Sequence, residues 1–146
     1  MGAKKNDVID IDLSVTKKKR FRIDKDNDRI LELNTSDMTI LSRLQDMYPK
    51  LEELSAKATT LDMDEDGVET LKEIDKELRE YIDYIFDSNV SEVCAPDGSM
   101  YDLFNGKFRF EHILDVLTAL YEDNIERESS QMLARMRTHT DKYTKK

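Results

Sequence analysis

Residues 105–121, NGKFRFEHILDVLTALY, carry the strongest helical pattern in the chain. After the turn residues Asn105 and Gly106, apolar side chains recur at steps of three and four, which is the period of one face of an α-helix. The members of this stripe are Phe108, Phe110, Ile113, Leu114, Leu117, Leu120 and Tyr121. We therefore predict that this segment is the central helix on which the other elements pack.

Two earlier segments show the same helical period. The first follows the potential N-cap residues Asn34, Thr35 and Ser36, and its stripe consists of Ile40, Leu41, Leu44, Met47, Tyr48, Leu51 and Leu54. Pro49 lies inside this stripe, but the apolar register continues past it, so we expect one kinked helix. The second stripe consists of Leu71, Ile74, Leu78, Tyr81, Ile82 and Ile85.

The chain before these helices has the alternation of β-structure. In residues 8–15 apolar side chains occupy every second position, which predicts a half-buried strand; they are Ile9, Ile11, Leu13 and Val15. Residues 19–23 and 29–33 flank the polar cluster 24–28, and this arrangement predicts a β-hairpin.

These patterns predict a single α+β domain over residues 1–146: an N-terminal strand and β-hairpin followed by a bundle of about three long α-helices. The β-strand region covers residues 8–33 and the helical region residues 36–146. Turn residues around Pro96 and Asn105 indicate a long structured loop, residues 87–106, within the helical region. Past Asp123 the apolar stripe thins, so we expect the last helix to project from the bundle.

Composition argues against several classes of function. The net charge of −9 disfavours nucleic acid as a partner. No apolar run reaches membrane-spanning length, and the start of the chain lacks a signal-peptide core, so we expect a cytoplasmic protein. Cys94 is the only cysteine, and neither His112 nor His139 stands in a recognisable relation to it. We expect no enzyme activity and no cofactor.

One segment matches a metal-binding pattern. Residues 62–73, DMDEDGVETLKE, satisfy the spacing of an EF-hand calcium loop, with Gly67 at the sixth position and Glu73 at the twelfth. However, the charged Glu69 stands where such loops normally carry an apolar residue. The same carboxylates would also cap the start of a helix. The helix entrance is the favoured interpretation, and we predict no metal site here.

Exposed apolar residues near the end of the chain are candidates for partner contact. The predicted contact residues are Phe104, Phe108, Met132, Met136 and Tyr143. Methionine side chains suit adaptable contact surfaces. The same end of the chain is basic, in contrast to the acidic middle, and this asymmetry can orient a subunit on a partner.

Four phrases of the sequence resemble a family of small proteins encoded in the tail modules of phages and prophages of Gram-positive bacteria. They are KRFRIDKDNDRILELNTSDM (19–38), IDYIFDSNVSEVC (82–94), NGKFRFEHILDVLTALYE (105–122) and HTDKY (139–143). Members of this family are similar in size, acidity and layout to tail assembly chaperones, which keep the tape-measure protein soluble while tail-tube subunits polymerise around it.

The resemblance implies a cytoplasmic, chaperone-like tail assembly factor that binds tape-measure protein, tail-tube protein or further copies of itself. A structural subunit of the tail fits the same features. Two other functions stay open: a calcium-binding, EF-hand-like module, and an acidic decoy that occupies a nucleic-acid channel of a host defence protein.

Overall fold

The computed structural model describes the backbone of residues 7–144 and the side chains of residues 7–138. In chain order the elements are β1 (Lys19–Arg22), β2 (Ile30–Leu33), α1 (Met38–Thr59), α2 (Glu65–Phe86), α3 (Val90–Cys94), β3 (Leu103–Phe104), β4 (Lys107–Phe108) and α4 (Arg109–Thr144). The predicted α+β class, with a β-hairpin and three long helices, is confirmed.

The predicted hairpin is formed by β1 and β2, which pair antiparallel with Lys19 opposite Leu33 and Arg22 opposite Ile30. Its polar tip turns through Asp24 and Lys25, both with positive φ. Leu31 and Leu33 of β2 are fully buried. The hairpin therefore covers one end of the helical core with a single apolar face.

The predicted strand over residues 8–15 is wrong. These residues form no strand, and a short 3-10 turn occupies Ser14–Thr16. Within residues 7–144, β1 pairs only with β2, so residues 8–15 have no neighbouring strand. A strand needs a partner for its backbone hydrogen bonds, and this chain supplies none at that position.

Helices α1 and α2 pack side by side and supply much of the core. Asp37, rather than the three preceding residues, caps α1 by accepting a 2.9 Å hydrogen bond from the Thr39 N–H. The helix continues through Pro49, as the unbroken apolar register predicted. Asp64 caps α2 in the same way, at 2.8 Å from the Gly67 N–H.

The segment predicted as a long structured loop, residues 87–106, contains the short helix α3 and strand β3. It packs onto the core, with Val90 and Met100 fully buried. Asp75 of α2 accepts a 2.7 Å hydrogen bond from the Met100 N–H. Arg79 donates to the carbonyls of Ala95 and Gly98, so α2 holds the segment along its length.

Helix α4 starts directly after a tight hairpin between β3 and β4. Asn105 and Gly106 form the turn with φ of 52° and 78°, the conformation that an Asn-Gly pair favours in two-residue hairpins. The helix has 36 residues, which corresponds to about 54 Å. Its first half packs into the core through Phe110, Leu114, Leu117 and Tyr121. No helix among the described residues is long and apolar enough to span a membrane.

Candidate protein-binding surfaces

An open groove of about 730 Å³ lies between α1 and α4, and we call it the α1–α4 groove. Its floor is apolar, with the buried side chains of Leu51, Phe110 and Leu114. Tyr48 lines one wall and is half exposed. Because the floor residues are already covered, the accessible apolar surface comes from Tyr48, Ala56 and Ala119, against which a second helix could lay an apolar face.

The rim of the groove is acidic. Glu52 of α1 and Glu111, Asp115 and Glu122 of α4 line it, against the single base Lys107. Lys107 donates a 2.9 Å hydrogen bond to Asp115, which raises the pKa of its ammonium group and leaves it already neutralised. Glu52 and Glu122 form no ion pair with a side chain among residues 7–138. The groove therefore presents net negative charge to an occupant.

The start of α4 is fixed firmly, so this wall of the groove is rigid. The Phe108 N–H donates a 2.8 Å hydrogen bond to Glu111, which satisfies one of the free amide groups at the helix start. Phe108 and Phe110 stack with ring centroids 5.9 Å apart. The rings bury the start of the helix while the carboxylates on its other side face solvent.

Among the described side chains of α4, which end at residue 138, Asn124 is the last buried one. Its side-chain amide donates to the Thr35 carbonyl at 3.1 Å and to the Ser36 hydroxyl at 3.2 Å, at the junction between the hairpin and α1. Beyond it, the described side chains from Glu126 to Thr138 are exposed, apart from the partly buried Ser129. We call residues 125–144 the C-terminal arm, and the arm leaves the bundle as the sequence predicted.

The C-terminal arm carries a stripe of exposed apolar side chains. Met132, Leu133 and Met136 are 49%, 56% and 53% exposed. They follow Ile125 and Ser129 at helical spacing, so they lie along one side of the arm. Two of the predicted contact residues, Met132 and Met136, are therefore accessible. The side chain of Tyr143, another of them, lies outside the described part of the chain.

The remaining predicted contact residues differ in accessibility. Phe104 is 47% exposed, but the Arg109 guanidinium lies over its ring, 5.1 Å from the centroid. Phe108 is only 8% exposed and belongs to the core. Its prediction as a contact residue is corrected, because β4 turns this ring inward beneath the start of α4.

A second exposed apolar surface lies at residues 8–15, which we call the N-terminal segment. Five side chains in it are between 64% and 91% exposed, namely Val8, Ile9, Ile11, Leu13 and Val15. Large apolar side chains rarely stand together in solvent on a monomeric protein, and such patches mark contact sites. The alternation in residues 8–15 predicted a half-buried strand packed on the protein's own core, whereas these side chains are exposed.

The acidic segment 62–73 forms a helix entrance. Helix α2 begins at Glu65, so from that position onward the backbone is helical and does not wrap around a central ion. Gly67 does not have positive φ, whereas the glycine of an EF-hand loop makes a sharp turn. Among residues 7–138, no group of three His, Cys, Asp or Glu side chains is placed to hold a metal ion.

Burial favours the neutral forms of two titratable groups, the partly buried Cys94 and the fully buried Tyr121. Burial raises the pKa of the Cys94 thiol to about 11, so the reactive thiolate is scarce at neutral pH. Burial also raises the pKa of Tyr121 to about 12. The Tyr121 hydroxyl makes no hydrogen bond within residues 7–138, and its ring packs on Phe86 with the centroids 5.7 Å apart.

The sequence did not single out the groove residues, although one signal was present. Glu111, Asp115 and Glu122 recur at steps of four and seven, so they had to share a side of α4. Glu52 lies on α1, and it shares the rim of the groove with the carboxylates of α4 only because of how the two helices pack. The sequence pattern of neither helix, taken alone, predicts that these carboxylates line one groove.

Comparison of the chain with models of known protein families, with curated proteins and with solved structures gives no match. The groove, the C-terminal arm and the N-terminal segment are therefore interpreted from their own chemistry.

Proposed function

We propose that this chain is a chaperone-like assembly factor of phage tails, which acts by binding tape-measure or tail-tube protein in the bacterial cytoplasm. The observation that carries the binding function is the position of its exposed apolar side chains. Among residues 7–138, eight of the sixteen exposed large apolar side chains lie in the N-terminal segment and the C-terminal arm, five in the first and three in the second, and the other eight are distributed between residues 38 and 116. The tail context comes from the resemblance of residues 19–38, 82–94, 105–122 and 139–143.

Binding in this proposal uses two kinds of exposed structure. The N-terminal segment has the alternation of a strand and no partner strand among residues 7–144, so it can add to a sheet edge of another protein. The groove and the arm offer apolar surface to helices. The net charge of −9 would keep the resulting complex soluble. A long helical protein such as a tape-measure protein exposes apolar faces until its tube is built, and such faces need shielding.

The test is co-expression with the tape-measure protein and the tail-tube protein from the genome that encodes this chain. We expect at least one of them to become more soluble and to co-purify with the chain. The double variant Ile9→Asp and Ile11→Asp should reduce co-purification, because it places charge on the apolar side of the N-terminal segment. Asp10→Ser, on the polar side of the same segment, is the matched control. If neither tail protein gains solubility or co-purifies, the proposed function is wrong.

A structural subunit of the tail is a second candidate, and the N-terminal segment favours it. A strand that has no partner in its own chain can join neighbouring subunits by strand addition. Mass spectrometry of purified tail particles separates the two roles. An assembly factor is absent from finished tails, whereas a structural subunit is present in stoichiometric amounts.

A further inference from the structure

We propose that the C-terminal arm of a second copy of this chain occupies the α1–α4 groove. The groove has an apolar floor and an acidic rim, and the arm has an exposed apolar stripe and basic side chains. The apolar stripe of the arm can therefore pack on the apolar floor, and the basic side chains of the arm can pair with the acidic rim. The proposal concerns the chain by itself and does not rest on the function in tail assembly.

The arm cannot occupy the groove of its own molecule. Helix α4 is one uninterrupted helix from Arg109 to Thr144, and its first half forms a wall of the groove. The arm continues from that wall and leads away from the groove. Asn124, hydrogen bonded to Thr35 and Ser36, fixes the point at which the arm leaves the bundle. Only another copy can bring an arm into the groove.

The rim of the groove and the outer part of the arm, residues 129–144, have opposite net charge. The rim has four carboxylates, and its single lysine is already paired with one of them. From residue 129 to its end at residue 144 the arm carries Arg135, Arg137 and Lys142 against the single acid Asp141, whereas its first turn carries Glu126 and Glu128 with Arg127. Arg135 and Arg137 have exposed side chains. Placing the arm in the groove brings them toward Glu52 and Glu122, and electrostatic complementarity of this kind selects the partner and the orientation.

The dimensions also agree. The α4 wall of the groove runs from Lys107 to Glu122, and the helical part of it rises by about 20 Å. The arm rises by about 30 Å over residues 125–144. Met132 and Leu133 lie within that length, so their side chains can reach the floor beside Leu51 and Leu114.

The arrangement can close on itself. If the arm of one copy enters the groove of a second, a twofold axis places the arm of the second in the groove of the first. The two contacts are then identical, which is the commonest way in which homodimers form. Such a dimer covers the arm and leaves the N-terminal segment accessible to a different protein.

Sedimentation equilibrium on the purified full chain measures the dimer dissociation constant. Arg135→Glu with Arg137→Glu should raise it at least about tenfold, and so should Glu52→Lys with Glu122→Lys. Matched controls on the outer face of α2 carry the same charge changes: Lys72→Glu with Lys76→Glu, and Glu77→Lys with Glu80→Lys. The controls should leave the dissociation constant within about twofold. A mixture of the two test variants should form heterodimers. In one groove the reversed, acidic arm meets the reversed, basic rim, and in the other groove the original charges of arm and rim are kept.

A disulfide experiment places the arm in the groove directly. In a Cys94→Ser background, one set of preparations carries Tyr48→Cys, Glu52→Cys or Ala56→Cys, which are one turn apart along the α1 wall of the groove, and another preparation carries Met132→Cys on the arm. Mild oxidation of the mixtures should link the two chains for at least one of the three groove cysteines. The pair of Glu77→Cys and Met132→Cys should not link, because Glu77 lies on the outer face of α2.

Three results would overturn the proposal. The first is a monomer at all concentrations up to about 100 μM, where homodimers of ordinary affinity associate. The second is a dimer that responds to neither charge reversal. The third is failure of all three groove cysteines, at residues 48, 52 and 56, to link with Met132→Cys. A monomeric chain that still solubilises a tail protein would mean that the groove or the arm serves that other protein. In that outcome the proposed function stands and this inference fails.

Discussion

The side-chain amide of Asn124 donates a hydrogen bond to the backbone carbonyl of Thr35, which lies 89 positions earlier in the chain. Both residues are buried, with 3% of each exposed. This contact joins α4 to the junction between β2 and α1. It also marks the boundary between the packed half of α4 and the C-terminal arm.

Asn124→Ala should lower the free energy of unfolding by about 1–3 kcal/mol, because it leaves the buried Thr35 carbonyl without a donor. Urea denaturation followed by circular dichroism measures the change. Ser130→Ala, on the exposed arm, is the control and should change stability by less than about 0.5 kcal/mol. An Asn124→Ala protein as stable as the control would mean that this hydrogen bond does not anchor α4.

Gly67→Ala should destabilise the protein, although alanine is the better helix former. A Cβ atom at residue 67 would overlap the Asp62 carbonyl oxygen and lie 2.9 Å from its carbon, so the backbone would have to shift. The expected loss is about 1–3 kcal/mol, the usual effect of overpacking. Thermal unfolding, compared with Val68→Ala on the exposed side of the same turn, measures it. Stabilisation by Gly67→Ala would show that helix propensity outweighs the close approach.

Calcium at about 1 mM should produce no binding heat in titration calorimetry and no shift in Tm. The reason is the geometry of residues 62–73. The Asp64 side chain caps α2, and the backbone from Glu65 onward is helical, so the oxygen atoms are not arranged around one point. A saturable heat with one ion per chain would contradict this and would support the EF-hand-like alternative.

Tyr121→Phe should leave stability unchanged or raise it by up to about 1 kcal/mol, because the buried hydroxyl has no hydrogen-bond partner among the described residues. Tyr121→Ala is the matched contrast. It removes the ring that packs on Phe86 and should lower stability by about 3–5 kcal/mol. Chemical denaturation of both variants tests the pair. A clear loss in Tyr121→Phe would show that the hydroxyl is hydrogen bonded in solution.

Acid should weaken the protein partly through Asp102. Hydrogen bonds from the Ser99 N–H at 3.0 Å and the Ser99 hydroxyl at 2.8 Å hold the pKa of Asp102 below its ordinary value of 3.8. The unfolded chain therefore takes up the proton at higher pH than the folded chain does. The stability from this group is present above pH 3.8 and is lost as the pH falls through the folded pKa.

Asp102→Asn should therefore be less stable than wild type at neutral pH, and the difference should shrink on acidification. Because the side chain is 38% exposed, solvent screening keeps the effect below about 1 kcal/mol. Urea denaturation between about pH 6 and about pH 3 measures it. Asp46→Asn, an exposed carboxylate of α1, is the control. A difference that stays constant over this range would mean that protonation of Asp102 is not coupled to folding.

The long helices were predictable because each buries one stripe. Ile40, Leu78 and Leu117 recur in phase with their neighbours, and all three are in the core. The hairpin was predictable for a similar reason, since a polar cluster separates two apolar runs. Helix α3 was not, because five residues are too few to show a helical period.

The error at residues 8–15 has a different origin. Alternation shows that every second side chain is apolar. It does not show whether the surface that would bury these side chains belongs to the same chain. Here Ile9 and Ile11 are about four-fifths exposed, so none of the described residues covers them. The groove was not predicted, because Glu52 and Glu122 line one groove only through the packing of α1 on α4, which the pattern of a single helix does not show. The polar contacts of Asp75 and Arg79 with residues 95–100 are equally invisible to helical periodicity.

Helix α4 has no glycine or proline between Arg109 and Thr144. The packed half of the helix and the end of the C-terminal arm therefore move together as one rigid body. A tilt of about 5° at Asn124 would displace the tip by about 3 Å, given the rise of an α-helix. Substitutions near Asn124 can therefore change the direction of the C-terminal arm without altering any side chain on the arm. A change made deep inside the fold therefore reaches the exposed end of the arm, about 30 Å away.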